Sequence, residues 1–240
     1  MSAETTFEKN DLTIYNREAA DWWSGKTRWV RTLKNMVPGR LAYFDQFVDW
    51  EHKRVLDLGC AGGFMAEALA RRGARVTGID PADAAVAAAR DHAAEEGLDI
   101  DYQVGIGENL PFEDQRFDAV VCVDVLEHVT DLEAVIGEVS RVLKPGGWFL
   151  FDTINRNPLA RLVAVTMAER VIRILPRGTH DPEMFIKPSE LRDALEETGF
   201  TVGAFTGLGP RGIDRNGDFV FGRVPGTAII YMGTARRKAG

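Results

Sequence analysis

The chain has 240 residues, 45% hydrophobic and 27% charged, the make-up of an ordinary globular protein long enough for one sizeable domain. A net charge of −7 excludes a surface built to attract nucleic acid, and no apolar run approaches the ~20 residues that span a bilayer. The polar, acidic start has no features of a secretory leader, and Cys60 and Cys122 read as buried free thiols, so the expected location is the cytoplasm.

Residues 13–50 are expected to be mainly helical, with Trp22, Trp23 and Trp29 as apolar anchors. A strand at 54–58 then runs into Asp57-Leu58-Gly59-Cys60-Ala61-Gly62-Gly63, and a helix follows at once over 63–72. Glycine permits such a tight turn and lets a ligand lie against the main chain. The free N–H groups of the helix start favour a ligand with negative charge or acceptor atoms. A second strand, 75–79, closes on Asp80, about 20 residues on, where an acid suits the paired hydroxyls of a ribose. The small residues Gly59, Ala61 and Gly63 do not follow the Gly-x-Gly-x-x-Gly of a dinucleotide site, and no Gly-Lys-Ser/Thr holds a triphosphate. The pocket reads as one for an adenosine-type cofactor.

Helix 82–95 and strand 101–104 lead to Gly107-Glu108-Asn109-Leu110-Pro111-Phe112. Here Glu108 and its neighbouring amides are expected to bond an adenine ring and Leu110 to pack on it. Strand 117–123 delivers Asp124 to the pocket rim, and Glu127 and His128 follow on the same side of a helical turn. Helix 131–143 stops at Lys144-Pro145-Gly146-Gly147, before strand 147–153. An insertion, 154–177, comes next. Its helix, Asn157 to Leu175, has an apolar face of Leu159, Val163, Met167, Val171 and Ile174. Five arginines, Arg156, Arg161, Arg170, Arg173 and Arg177, oppose one Glu169, a local charge of +4. Such a helix lies either in a membrane interface or as a lid on the core. Helix 188–198 and strands 201–206 and 226–235 complete the chain.

This alternation predicts an α/β protein with a Rossmann-like, seven-stranded, mostly parallel sheet and helices on both faces. Ligands then bind at the carboxyl ends of the strands, where Gly59, Asp80 and Asp124 fall. The expected organisation is one domain: a helical cap (1–50), a cofactor-binding core (51–153), the insertion (154–187) and the rest of the core (188–240).

The Asp-x-Gly-x-Gly-x-Gly rhythm resembles motif I of class I S-adenosylmethionine-dependent methyltransferases, with Ala61 in place of the middle glycine, and the motif order follows that class over roughly residues 50–153. A narrower resemblance covers most of the chain. Asn155-Arg156-Asn157, Pro176-Arg177-Gly178-Thr179-His180-Asp181 and Phe185-Ile186-Lys187-Pro188-Ser189-Glu190-Leu191 look like the ubiquinone-biosynthesis O-methyltransferase family. Trp22-Trp23 and Pro38-Gly39-Arg40-Leu41-Ala42-Tyr43 fit its N-terminal segment. The resemblance implies methyl transfer from S-adenosylmethionine to a phenolic hydroxyl of a polyprenylated catechol or quinol. It implies that Arg40 pairs with the cofactor carboxylate, Asp80 holds the ribose and Val123 lines the site. Asp57, Gly59, Cys60, Ala61, Gly63, Pro81, Gly107 and Glu108 complete the expected cofactor pocket. The match weakens after Thr206: residues 207–218 lack the family's Tyr-Asn-Pro pattern, which leaves a different acceptor open.

A sulfonium methyl is already activated, so the enzyme's task is to align acceptor oxygen, methyl carbon and sulfur. A phenol titrates near 10, so a base or a cation must help form the phenolate at neutral pH. His128 and His180, with Asp124 beside them, are the expected catalytic residues, and Asp181 is placed to orient His180. The plainer alternative for each histidine is a helix cap or a backbone bond. His52 and His92 fall in charged, surface-like contexts. Asp124, Glu127 and His128 form an alternative set for a divalent metal, magnesium or zinc, bridging both catechol oxygens. Eukaryotic family members look metal-assisted, with Glu, Glu and His at these places; Asp124 is one methylene shorter.

Two other functions stay open: an O-, N- or C-methyltransferase of a soluble secondary metabolite, and a non-catalytic cofactor-binding subunit of a membrane-associated complex. Asp124, His128 and His180 argue against the last, because a scaffold needs no convergent polar rim. Expected partners are a small catechol or quinol, a membrane's inner face through 157–175, and a second copy in a homodimer.

Overall fold

The computed structural model describes residues 10–171 and 175–239, with only the backbone of 170 and 171. Arg173 and Ile174 of the insertion, and the side chains of Arg170 and Val171, lie outside the described residues.

Five strands pair in parallel: β1 (Arg54–Leu58), β2 (Arg75–Asp80), β3 (Ile100–Val104), β4 (Phe117–Cys122) and β5 (Leu143–Ile154). They form as continuous apolar runs because both faces of a parallel sheet are covered. Along β1, Val55 joins one core cluster while Leu56 and Leu58 join the other, so alternate residues serve opposite faces. Helices α3 (Phe64–Ala70), α4 (Asp83–Glu95), α5 (Leu132–Val142) and α7 (Pro188–Glu197) provide the crossovers and covering layers.

Past β5 the pairing turns antiparallel. With β6 (Phe200–Val202), β7 (Thr206–Ile213), β8 (Phe219–Val224) and β9 (Ile230–Arg237), the sheet runs β3-β2-β1-β4-β5-β9-β7-β8, and β6 lies beside β9. The fold class is the Rossmann-like one expected, but nine strands are described where seven were predicted. The stretch expected as one strand at 201–206 divides into β6 and the start of β7, and β7 forms a hairpin with β8. Gly207, Gly209, Pro210 and Gly212 hide that hairpin in the sequence, because such residues are weak strand formers tolerated at an edge.

The N-terminal segment folds as α1 (Thr13–Arg17), a 3₁₀ turn at Ala19–Asp21, and α2 (Arg28–Phe44). Helix α2 packs on β8: a Cβ added at Gly39 would lie 2.7 Å from the Phe221 carbonyl oxygen. Arg31 clamps Asp218 with two hydrogen bonds of 2.7 and 3.2 Å.

The insertion begins as α6 (Pro158–Ala160), capped by the Asn157 side chain, and continues as a π-helix over Arg161–Val171. Its core-facing stripe differs from the one expected. Ala160, Ala164 and Ala168 are buried, whereas Leu159, Leu162 and Met167 are exposed. No helix among the described residues is long and apolar enough to cross a membrane.

Candidate active site

β1 ends in a loop whose backbone demands small residues. Gly59 has φ +78°, and a Cβ there would lie 2.1 Å from Val125. Ala61, at the place of the motif's glycine, sits at φ 42° in the left-handed region that strains L-residues. Its amide donates to Asp80 Oδ2 at 2.9 Å, and Ala82 donates to Asp80 Oδ1 at 2.8 Å, so the acid that ends β2 ties the loop to its own strand end. Burial pushes the Asp80 carboxyl up, against those two amide bonds.

These elements border a cavity of about 590 Å³. Arg40, Asp57, Gly59, Cys60 and Ala61 line it from α2 and the β1 loop; Asp80 and Pro81 line it from β2. Gly107 and Glu108 follow β3, and Val123 follows β4. Two expectations need correction. Gly63 does not line the cavity; it caps α3 at φ +92°, where a Cβ would meet the Tyr102 hydroxyl at 2.4 Å. Leu110 is buried in the core, and the apolar side chain at the cavity from this loop is Ile106. Glu108 accepts from the Thr130 amide and hydroxyl at 3.2 and 3.1 Å.

The N-terminal segment supplies lining residues that sequence reasoning missed. Tyr15 and Trp22 close one side, with ring centroids 6.0 Å apart and Trp22 stacked on Phe64. The Trp22–Trp23 pair was the available signal, but nothing in its spacing shows which ring reaches the ligand. Trp23 instead bonds the Gly62 carbonyl and stacks at 3.6 Å on His92. His92 in turn bonds the buried Glu67 at 2.6 Å, so it is no idle surface residue.

Charge in the cavity is arranged for a zwitterionic ligand. Asp57 is fully buried, no side chain among the described residues bonds its oxygens, and burial, opposed by the Ala66 amide, pushes it up to about 7. Such a carboxylate is matched by an ammonium donor. Arg40 is buried between Asp152 (Nε to Oδ2, 2.6 Å) and Asp124 (Nη2 to Oδ2, 2.5 Å). Burial opposes its charge, but the two carboxylates outweigh burial and keep it protonated. Among the described residues its Nη2 makes the ion pair with Asp124 without a hydrogen bond, which leaves a donor for a ligand carboxylate. Asp124 itself sits at φ 54°, its amide held by Asp152 Oδ1 at 2.8 Å.

Next to this cavity stands a second polar group. His128 lines the cavity, and its ring lies 5.4 Å from that of His180 at 18°. Burial and the neighbouring His180 push His128 down to about 3. Glu127 is buried; Oε2 accepts from Thr153 at 2.7 Å, and Oε1 has no hydrogen-bond partner among the described residues. Burial, then Asp124, pushes it up to about 8. Ligand atoms of Glu127, His128 and His180 all lie within 4.8 Å of one another. The metal set expected from sequence is thus altered: His180 takes the third place, because Asp124 is bound to Arg40. The carboxylate on His180 is Glu169, while Asp181 Oδ1 caps the 3₁₀ turn at Pro182–Met184. Two imidazoles and a carboxylate are a donor set that fits zinc.

Residues 56–151 match the family model described as a methyltransferase domain. A ubiquinone biosynthesis O-methyltransferase of Chromobacterium violaceum is 40% identical over 228 residues, covering 95% of this chain and 96% of that protein. One of the same name from Pseudomonas fluorescens is 44% identical over 199 residues, covering 82% and 85%. A solved methyltransferase structure from Thermotoga maritima superposes with a TM-score of 0.65 at 19% identity, over 94% of this chain and 98% of that one. A Pyrococcus horikoshii protein superposes at 0.63 and 24% identity, over 94% and 99%. Fold and matched domain define a class I S-adenosylmethionine-dependent methyltransferase. Within that class, the chain belongs to the ubiquinone biosynthesis O-methyltransferase family.

Proposed function

We propose that this enzyme transfers the methyl group of S-adenosylmethionine to a phenolic oxygen of a catechol or hydroxyquinone bearing a polyprenyl tail. The observation that carries the reading is the pair of imidazoles beside the cofactor cavity, with buried Glu127 next to them. The name of relatives that match nearly end to end supports the same acceptor class. In this reading the segments 1–50, 51–153, 154–187 and 188–240 act as one catalytic unit.

The cofactor supplies a methyl group on a sulfonium, so the protein's task is alignment, exclusion of water and proton removal. Asp57 takes the ammonium, Arg40 the carboxylate and Asp80 the ribose hydroxyls. Tyr15 and Trp22 cover the ligand. The acceptor's ring lies toward His128 and His180, and the free ring nitrogen of His180 takes the phenolic proton, since burial makes His128 the weaker base. Glu127, held near 8, keeps its own proton at neutral pH. A divalent ion, when bound, would be held by Glu127, His128 and His180 and would polarise the catechol oxygens.

The exposed Leu159, Leu162 and Met167 support peripheral membrane contact by the insertion, where a prenyl tail is found. The test is incubation of the full chain with methyl-labelled cofactor and a polyprenyl catechol in vesicles. An O-methylated product is expected. Equal turnover of a tail-free catechol would favour a soluble metabolite, and no transfer to either acceptor overturns the reading.

A further inference from the structure

Glu169 stands apart from the rest of the insertion. It is a carboxylate on a π-helix that exposes Leu162 and Met167, yet it is 3% exposed itself. Among the described residues, all its bonds go to one loop. Oε2 accepts from the Gly178 amide at 2.9 Å; Oε1 accepts from the His180 amide at 3.1 Å and lies 3.0 Å from His180 Nδ1. A π-helical turn is a costly device, found mostly at functional sites, and here it brings Glu169 to bear on His180. The second histidine is treated alike: Asn10 Oδ1 lies 2.6 Å from His128 Nδ1, and Asn10 Nδ2 donates to the His128 carbonyl at 3.1 Å. Both rings are therefore gripped at Nδ1 from outside the cofactor core, and among the described residues neither Nε2 has a hydrogen bond. The backbone joins the two grips, since the Asp11 amide donates to the Gly178 carbonyl at 3.1 Å.

Two backbone amides already use this side chain as their acceptor, and Nδ1 of His180 joins them as the third donor. We propose that Glu169 is the positioning residue of the acceptor site, fixing His180 in the Nδ1–H tautomer so that the Nε2 lone pair faces the phenolic oxygen. The inference rests on the proposed methyl transfer for its kinetic consequence, but not for its tautomer. The insertion thereby becomes part of the catalytic apparatus: the helix that meets the outer face also sets the histidine within.

Glu169→Gln preserves size and tests this directly. An amide can donate to Nδ1 as readily as accept, which frees the wrong tautomer, and it cannot satisfy the Gly178 and His180 amides together. We expect kcat to fall about 10–100-fold, the usual cost of losing an orienting partner, with KM and S-adenosylhomocysteine affinity nearly unchanged. Nitrogen NMR of His180 should show Nδ1–H in the wild type and a mixture or Nε2–H in Glu169→Gln. Glu169→Asp, which retains a carboxylate, should recover part of kcat. In a His180→Gln background the Glu169→Gln change should cost little more, because the two act as one unit. An Nε2–H signal in the wild type overturns the proposal. So does a Glu169→Gln loss that is as large without His180 as with it, since the carboxylate would then serve only the loop. Should the wild type methylate no phenol, the function fails while the NMR result still decides the tautomer.

Discussion

Asp57 illustrates how a binding residue opposes the fold that carries it. Its folded value, about 7, lies above the ordinary 3.8 because burial disfavours the charge. The folded state thus holds the proton more tightly than the unfolded one, and stability falls as pH rises from about 4 to about 7. The displacement corresponds to about 4 kcal/mol. Asp57→Asn should therefore raise the melting temperature at pH 8 and leave it little changed near pH 4. It should also weaken cofactor binding by about 10–100-fold, the loss of a charged hydrogen bond, which calorimetry measures; unchanged affinity would remove Asp57 from the site. Ala61 carries the opposite burden. Its left-handed φ of 42° costs an L-residue about 1–2 kcal/mol, while glycine's extra chain entropy costs roughly 0.5–1 kcal/mol. Ala61→Gly should then stabilise the protein by up to about 1.5 kcal/mol in urea titration. The loop glycines and the acids Asp57 and Asp80 were legible in the sequence, since turn geometry and spacing leave marks there. Glu169 and Asn10 were not. Asn10 meets His128 across 118 positions, and only the folded chain brings such partners together.

At the scale of elements, legibility followed the kind of burial. Strands β1, β2 and β4 are apolar runs closed by glycine or acid, and those runs appear as such in the chain. The β7–β8 hairpin does not, because glycine and proline are spread through it and its stability comes from neighbours rather than propensity. Its neighbour α2 is held at Gly39, where backbone meets backbone, and by Arg31 on Asp218. The insertion misled for a related reason: alanines face the core at Ala160, Ala164 and Ala168, so the larger apolar residues do not mark the inner face. Gly39→Val tests the α2–β8 contact. A Cβ 2.7 Å from the Phe221 carbonyl cannot be absorbed by a rotamer change. The expected loss is about 1–3 kcal/mol, read as a lower melting temperature. Arg40 is the next residue, so displacement of α2 should also weaken cofactor binding; a variant with normal stability would show that α2 and the hairpin are not in firm contact.

The whole molecule carries −7, which sets an anionic membrane against it unless a local feature prevails. The sequence offered the insertion's arginines as that feature, but folding reduces their reach. Arg156 is paired with Glu190, and Arg161 lies 3.9 Å from Glu183. What the fold adds is apolar: Leu159 and Leu162, each 50% exposed, with Met167 beside them. If the insertion docks on a bilayer, the gain comes mainly from these side chains, at roughly 1.5–3 kcal/mol for each one fully buried. Vesicle sedimentation should then respond to apolar substitution more than to salt. Leu159→Asp with Leu162→Asp should release the protein from vesicles by about 100-fold or more, whereas raising the salt from 0.05 to about 0.5 M should matter far less than for a charge-held protein. Turnover of a tail-free catechol should survive the double change, because neither leucine lines the cofactor cavity, and turnover of a prenyl catechol in vesicles should fall. Binding that salt alone abolishes would return the docking to the arginines. A wild-type protein that ignores vesicles at every salt concentration would leave the two leucines as part of a lid and direct the search for the acceptor to soluble phenols.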